Sequence, residues 1–315
     1  MFLFWPILIV LGLGFFLIGC VVGSFLNVCI YRIPWQKSVV WPSSRCPHCG
    51  SGITARDNIP IVSWIALRGE CRACGAPISA RYPFVESLVG FLFLGAYLVD
   101  VIAGPRGDWG QIPTSQLIAA GYHSIFLALL VAATFIDYDL MVIPDQITVT
   151  GMIVGIAGGI FWPTIRPEPV GATTAWWGLW VGVLGLLVGA GLTQAIRLSA
   201  SFVFRREAMG FGDVTLMAMI GSFMGWQIAV LSFFLSSFFG LAHAVWKLLN
   251  YLKKQMLGSE LSSMDREMPL GPYLSMAAAS LYLTWPWVWS GWAKGIFGTF
   301  YVLFWWMLNV DVNLP

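Results

Sequence analysis

The 315 residues are 58% hydrophobic and only 10% charged, with a mean hydropathy of +0.78 and a formal net charge of +2. A soluble domain carries about 25% charged residues, so the composition excludes a water-soluble globular protein and indicates a polytopic membrane protein. The net charge is nearly silent, but the placement of charge along the chain is not.

Apolar runs fall at roughly 3–30, 84–103, 116–136, 142–162, 176–197, 213–225, 227–248, 271–289 and 292–309. All but 213–225 have the length of a bilayer-spanning helix. About eight spans are expected, with a ninth if the Trp-rich stretch 292–309 crosses rather than lying at the interface. The first run ends Leu17-Ile18-Gly19-Cys20, which resembles a lipoprotein cleavage box. No basic segment precedes it and the apolar stretch continues beyond Cys20, so a retained first helix is expected.

With the N-terminus outside, the inner loops collect 14 of the 17 basic residues, leaving Arg106, Arg166 and Lys294 on the outer side. That asymmetry fits the positive-inside rule. It places residues 33–82 in a cytoplasmic insertion between the first and second spans, and the proline-containing stretch 163–175 in an outer loop. The expected organisation is therefore a first transmembrane helix (1–32), a cytoplasmic four-cysteine loop (33–82) and a transmembrane core (83–315).

Cys20 and Cys29 lie within the first apolar run and read as small packed hydrophobes. The other four cysteines read Cys46-Pro-His-Cys49 and Cys71-Arg-Ala-Cys74, each pair followed by glycine, with 21 residues between the pairs. Two residues between thiolates let one knuckle reach one tetrahedral ion, and the glycine permits the turn behind it. The spacing predicts a structural zinc site, with redox pairs or disulfides as the alternatives. His48 is surplus to four ligands, and metal would supply much of the loop's folding energy.

Most acidic residues fall in loops or near helix ends. Two clusters stand apart: FIDYDLMVIPD at 135–145, with Asp137, Asp139 and Asp145, and Gly210-Phe211-Gly212-Asp213. On the topology above both lie at cytoplasmic ends of their helices. A carboxylate inside a membrane helix is costly and is a functional candidate by default. Two carboxyl groups in one site cannot both ionise easily and titrate as a unit. One can then draw a proton from water while the other hydrogen-bonds a scissile carbonyl. The spacing alone leaves three readings: paired acid–base catalysis, ion or proton coupling in a carrier, and helix capping. Asp145, after Pro144, suits a cap, and Asp139 suits a solvated loop. Serine or cysteine chemistry has little support, since His48, His123 and His243 are the only histidines. His123 and His243 lie in apolar runs where packed, hydrogen-bonded rings are the ordinary case. No Gly-x-Ser-x-Gly, His-Glu-x-x-His, phosphate loop or dinucleotide fingerprint occurs.

In order along most of the chain, these motifs resemble the type IV prepilin peptidase family. They are Gly23-Ser24-Phe25-Leu26-Asn27-Val28, Arg32-Ile33-Pro34, the two cysteine knuckles, Asn58-Ile59-Pro60, Arg81-Tyr82-Pro83-Phe84-Val85-Glu86, Ile136-Asp137 through Ile143-Pro144-Asp145, Gly210-Phe211-Gly212-Asp213 and Gly271-Pro272-Tyr273-Leu274. The resemblance implies an intramembrane aspartyl protease of the bacterial inner membrane, with Asp137 and Asp213 as the catalytic pair. Its substrates would be type IV prepilins and type II secretion pseudopilins, cut on the cytoplasmic side after their basic leader. Family members with the four-cysteine insertion also N-methylate the new terminus from S-adenosylmethionine; Asn27, Arg32 and Glu86 are the candidates near that activity. Glu86, Asp139 and Asp145 are candidate contacts for the basic leader, membrane lipid is a further partner, and no nucleic acid is expected. The family often has lysine two places after the Gly-x-Gly-Asp acid, where this chain has Thr215.

Overall fold

A computed structural model describes residues 4–104, 114–167, 174–205, 209–256 and 268–299. The described residues are helical, with no strand among them; two isolated β-bridges occur in the cysteine loop. The helices are α1 (Phe4–Arg32), the short α2 (Val62–Ala66), α3 (Arg81–Tyr97), α4 (Thr114–Leu140), α5 (Asp145–Phe161), α6 (Ala175–Phe204), α7 (Phe211–Met224), α8 (Trp226–Met256) and α9 (Gly271–Val288). Apart from α2 they coincide with the first eight apolar runs. Five of them are long and apolar enough to cross a membrane, namely α1, α3, α4, α6 and α8, and α5 and α7 are shorter apolar helices. The protein is thus an all-helical, multi-pass membrane protein. Of the stretch 292–309, residues 292–299 are described and are helical, and the rest lies outside the described residues.

α7 occupies the middle. Every residue from Asp213 to Met224 except Thr215 is buried, as expected of a helix apolar on all sides. It packs against α5, α6, α8 and α9, while α4 packs against α3 and α9, and α1 lies along α3. Close backbone approach makes this possible. A Cβ at Gly185 or Gly221 would overlap the other's carbonyl, so α6 and α7 touch backbone to backbone.

Arg166 lies in the connection between α5 and α6, where an outer loop is expected, but it does not stand in solvent. It follows a short 3-10 turn at Pro163–Ile165 and folds inward, leaving the residue 4% exposed. Its guanidinium donates to the carbonyls of Gly178 (2.6 Å), Gly155 (2.9 Å) and Ser222 (3.0 Å), tying together α6, α5 and α7. Side chains at Gly159 or Gly182 would overlap it. A proline-containing stretch reads as a solvated loop, but here a cation is satisfied by carbonyls, one of them near the α7 C-terminus where the helix dipole is negative. Asp100, which sits in a wide turn after α3, accepts from Tyr282 Oη (2.8 Å) and lies 2.7 Å from His123 Nδ1, so that end of α3, α4 and α9 is also pinned.

Replacing Arg166 with methionine would leave three buried carbonyls without this donor, at roughly 1–3 kcal/mol each. Thermal unfolding in detergent is expected to fall by roughly 5 °C or more for Arg166→Met, and to fall also for Gly159→Ala. Unchanged midpoints would contradict the anchoring role.

Candidate functional site

The four-cysteine loop is built by repetition. Cys46 N–H donates to Ser51 O (2.9 Å) and Gly50 N–H returns to Cys46 O (2.9 Å); Cys71 N–H donates to Ala76 O (2.8 Å) and Gly75 N–H returns to Cys71 O (2.9 Å). Gly50 and Gly75 take φ of +71° and +69°, the left-handed conformation that these turns need. The two knuckles face each other, and the Sγ atoms of Cys46, Cys49, Cys71 and Cys74 all lie within 4.8 Å of one another, Cys46 and Cys74 being 3.9 Å apart. Thiolates about 2.3 Å from a tetrahedral ion sit about 3.8 Å apart, so the cluster fits a metal ion with little adjustment. The Ser51 hydroxyl, 2.9 Å from Cys49 Sγ, stabilises the thiolate form and lowers that thiol's pKa. Arg72, beside Cys71, forks onto Asp57 (2.7–3.1 Å) and holds that carboxyl below the usual carboxylate range. His48 is exposed and outside the cluster.

The second site lies where α4, α6, α7, α8 and the entry to α9 meet. Asp137 sits in the last helical turns of α4 and Asp213 in the first turn of α7. The two elements run in opposite directions, so both acids come to the same end of the bundle. Asp137 is 6% exposed and Asp213 7%. Both line one cavity of about 570 Å³, and they are close enough to interact electrostatically. Gly271 N–H, at the start of α9, donates to Asp137 Oδ2 (2.9 Å), and Asp213 accepts a backbone hydrogen bond from Gly210. A Cβ at Gly271 would overlap the Asp137 carboxylate, and one at Gly212 would press on Ile143. The glycines therefore let backbone stand where side chains would close the site. The rest of the wall is mostly apolar, from Val142, Ile143, Ile196, Phe211, Phe233 and Leu270. Arg197 also lines it, donating to Met209 O (3.0 Å).

The other acids singled out from the sequence fall elsewhere. Asp139 does not stand free in a loop: Arg81 grips it at 3.0 and 2.6 Å. Asp145 is the first residue of α5, with Pro144 in the capping position and no side-chain cap bond, so it acts only as a charge near the helix N-terminus. Glu86 is buried and accepts Ile61 N–H (2.7 Å) across from the cysteine loop. Asn27 donates to Tyr82 O (3.3 Å) and Arg32 to the carbonyls of Ser38 (2.9 Å) and Pro42 (2.8 Å). These three fasten the loop to α1 and α3. Thr215, in the place of a lysine, returns its hydroxyl to Gly212 O (3.0 Å) and adds no charge. Gly271 carried a motif in the sequence but no role, because a backbone N–H leaves no mark on residue type.

Comparison with known proteins fits this geometry. Residues 17–99 match the bacterial peptidase A24 N-terminal domain, and residues 124–245 match the type IV leader peptidase family. A relative from Aeromonas hydrophila is 33% identical over 290 residues, covering 83% of this chain and 87% of that protein. The chain belongs to the type IV leader peptidase family. A Myxococcus xanthus relative is 40% identical over 212 residues, 67% of this chain, which spans just over half (56%) of that relative's length. One from Stutzerimonas stutzeri is 33% identical over 82% of this chain and 86% of its own. All three are named prepilin leader peptidase/N-methyltransferase. No solved structure matches the chain.

Proposed function

We propose that this member of the family is an aspartyl endopeptidase of the bacterial inner membrane, with about eight spans. It would cleave the basic leader from type IV prepilins and pseudopilins at the cytoplasmic face and then methylate the new amine. The observation that carries the reading is the convergence of Asp137 and Asp213, two buried carboxyl groups from antiparallel helices, on one cavity. The pair holds a single proton between them. The ionised member takes a proton from water as its oxygen adds to the scissile carbonyl carbon. The protonated member hydrogen-bonds the carbonyl oxygen and passes its proton on, and the leaving amine departs protonated as the tetrahedral intermediate collapses. The cavity's apolar wall, with Ile196 of α6 and Phe233 of α8, would take the substrate's apolar segment. Asp139 and Glu86 are engaged within the protein and are poor contacts for a basic leader; the pair itself is the acidic feature that such a leader would meet. Nothing in the fold or in the comparisons favours an ion-coupled carrier using the same aspartates.

Cys46, Cys49, Cys71 and Cys74 would hold a structural zinc ion, supported by the thiol spacing above. For methyl transfer, S-adenosylmethionine is the implied donor. A second cavity of about 590 Å³ between α1 and the cysteine loop, with Ser24, Arg32, Ser44 and Asn58 beside Val28 and Ile59, has the size and mixed polarity for it. Of Asn27, Arg32 and Glu86, Arg32 alone lines that cavity. The donor would supply an electrophilic methyl group, and the protein's part would be to hold it against the new amine.

Asp137→Asn and Asp213→Asn are each expected to lower kcat for leader cleavage about a thousandfold, with the protein still folded. Cleavage near the wild-type rate in either would overturn the pair. Metal analysis is expected to find one zinc ion per chain, lost in Cys46→Ser and in Cys74→Ser. A wild-type protein purified without stoichiometric metal would contradict the site. Filling the second cavity by Ser44→Trp is expected to abolish transfer of labelled methyl while leaving cleavage intact; undiminished labelling would remove the donor from that cavity.

A further inference from the structure

Residues two apart on an α-helix point about 200° from each other, while residues four apart share a face. The last turns of α4 use both relations. Asp137 points toward α9 and the cavity, where Gly271 N–H holds Oδ2. Phe135 and Asp139 point the other way, toward α3. There Arg81, the first residue of α3, forks onto Asp139 (Nη1–Oδ1 3.0 Å, Nη2–Oδ2 2.6 Å) with its guanidinium 4.9 Å from the Phe135 ring centroid. The end of α4 is gripped from opposite sides. It has to be, because it stops at once: Met141, with φ of +56°, closes the last turn on the Asp137 carbonyl.

Arg81 is also where the cysteine loop delivers the chain into α3. Ile78 N–H donates to Gly69 O (2.6 Å), and Trp64 Nε1 donates to Ile78 O (3.0 Å). The second knuckle, Cys71 and Cys74, lies between Gly69 and Ile78 in sequence. Hydrogen bonds thus brace the end of the loop at Ile78, three residues before Arg81, and Arg81 in turn bonds the helix end that carries Asp137.

We propose that the Arg81–Asp139 fork is a positioning device for Asp137, through which the metal-bearing loop sets the geometry of the aspartate pair. The proposal rests on the peptidase reading above. Arg81 and Asp139 never touch the reacting atoms. Their side chains are 37% and 33% exposed, and ion pairs so placed add little to global stability, so what the fork supplies is placement. Misplacement by an ångström or less is enough to cost a large factor in rate.

The test is a double-mutant cycle on leader-peptide cleavage by the purified full chain, with Asp213→Asn alongside as the inactive reference. Arg81→Gln and Asp139→Asn are each expected to lower kcat by about tenfold, with KM and the thermal midpoint nearly unchanged. The double variant should be no slower than either single one, because both remove the same interaction. Removing metal with a chelator should slow the wild type by a similar factor and add nothing to Asp139→Asn. Single variants within twofold of wild type, losses that multiply in the double variant, a chelator effect on Asp139→Asn as large as on wild type, or unfolding that accounts for the lost turnover would each overturn the proposal. If the wild type itself leaves the peptide intact, the peptidase reading fails. If the wild type cleaves, Asp213→Asn does not, and Asp139→Asn is fully active, only the fork is refuted.

Discussion

The structure depends on keeping two carboxyl groups together inside an apolar helix bundle. Charge taken from water into such a setting is expensive, and two like charges aggravate the cost. The protein offsets it with helix termini. Asp213 sits in the first turn of α7 and Gly271 N–H opens α9, so unpaired backbone N–H groups and the positive ends of two helix dipoles meet at the cavity. This requires α4 to end where α7 and α9 begin, and the up-and-down order of the helices satisfies it. Side chains have to be absent at Gly212 and Gly271, where a Cβ would fill space that Ile143 and the Asp137 carboxylate occupy. Function and fold thus make the same demand of the chain at this point.

A second demand is rigidity at a distance. α7 is the short central helix and its acid is at one end, so its depth is set by what holds the other end. Arg166 does this through the Ser222 carbonyl, with α5 and α6 held by the same guanidinium. Tyr122 adds a hydrogen bond to Gly155 O (2.9 Å). At α4 the corresponding hold is local, with Gly271 on one side and Arg81 on the other. The cysteine loop, large for a connection between two helices, then has a structural purpose apart from any chemistry of its own: it fixes where α3 begins.

The parts of this arrangement that lie in residue type and spacing were readable in the sequence. Helix positions followed from hydropathy, because apolar runs of membrane length have few alternatives to helix. The thiol cluster followed from two Cys-x-x-Cys-Gly repeats, since so short a spacing nearly dictates its own turn. That Asp137 and Asp213 share one end followed from counting helices between them. The role of Arg166 was not readable, because hydropathy cannot see three carbonyls converging on it. Asp139 was misread for a related reason: its partner is 58 residues away in sequence, and long-range pairing leaves no local signal. Gly271 was visible as part of a motif, yet its contribution is a backbone N–H, which every residue but proline possesses. Contacts that depend on a helix register, or on atoms common to all residues, need coordinates.

The most direct test is an experimental structure of the protein bound to a leader peptide whose scissile amide is replaced by a non-cleavable secondary alcohol. That hydroxyl mimics the oxygen of the tetrahedral intermediate. Its oxygen is predicted to lie within hydrogen-bonding distance of carboxylate oxygens from both Asp137 and Asp213. A hydroxyl that meets only one of them, or a peptide bound away from the cavity, would contradict the account.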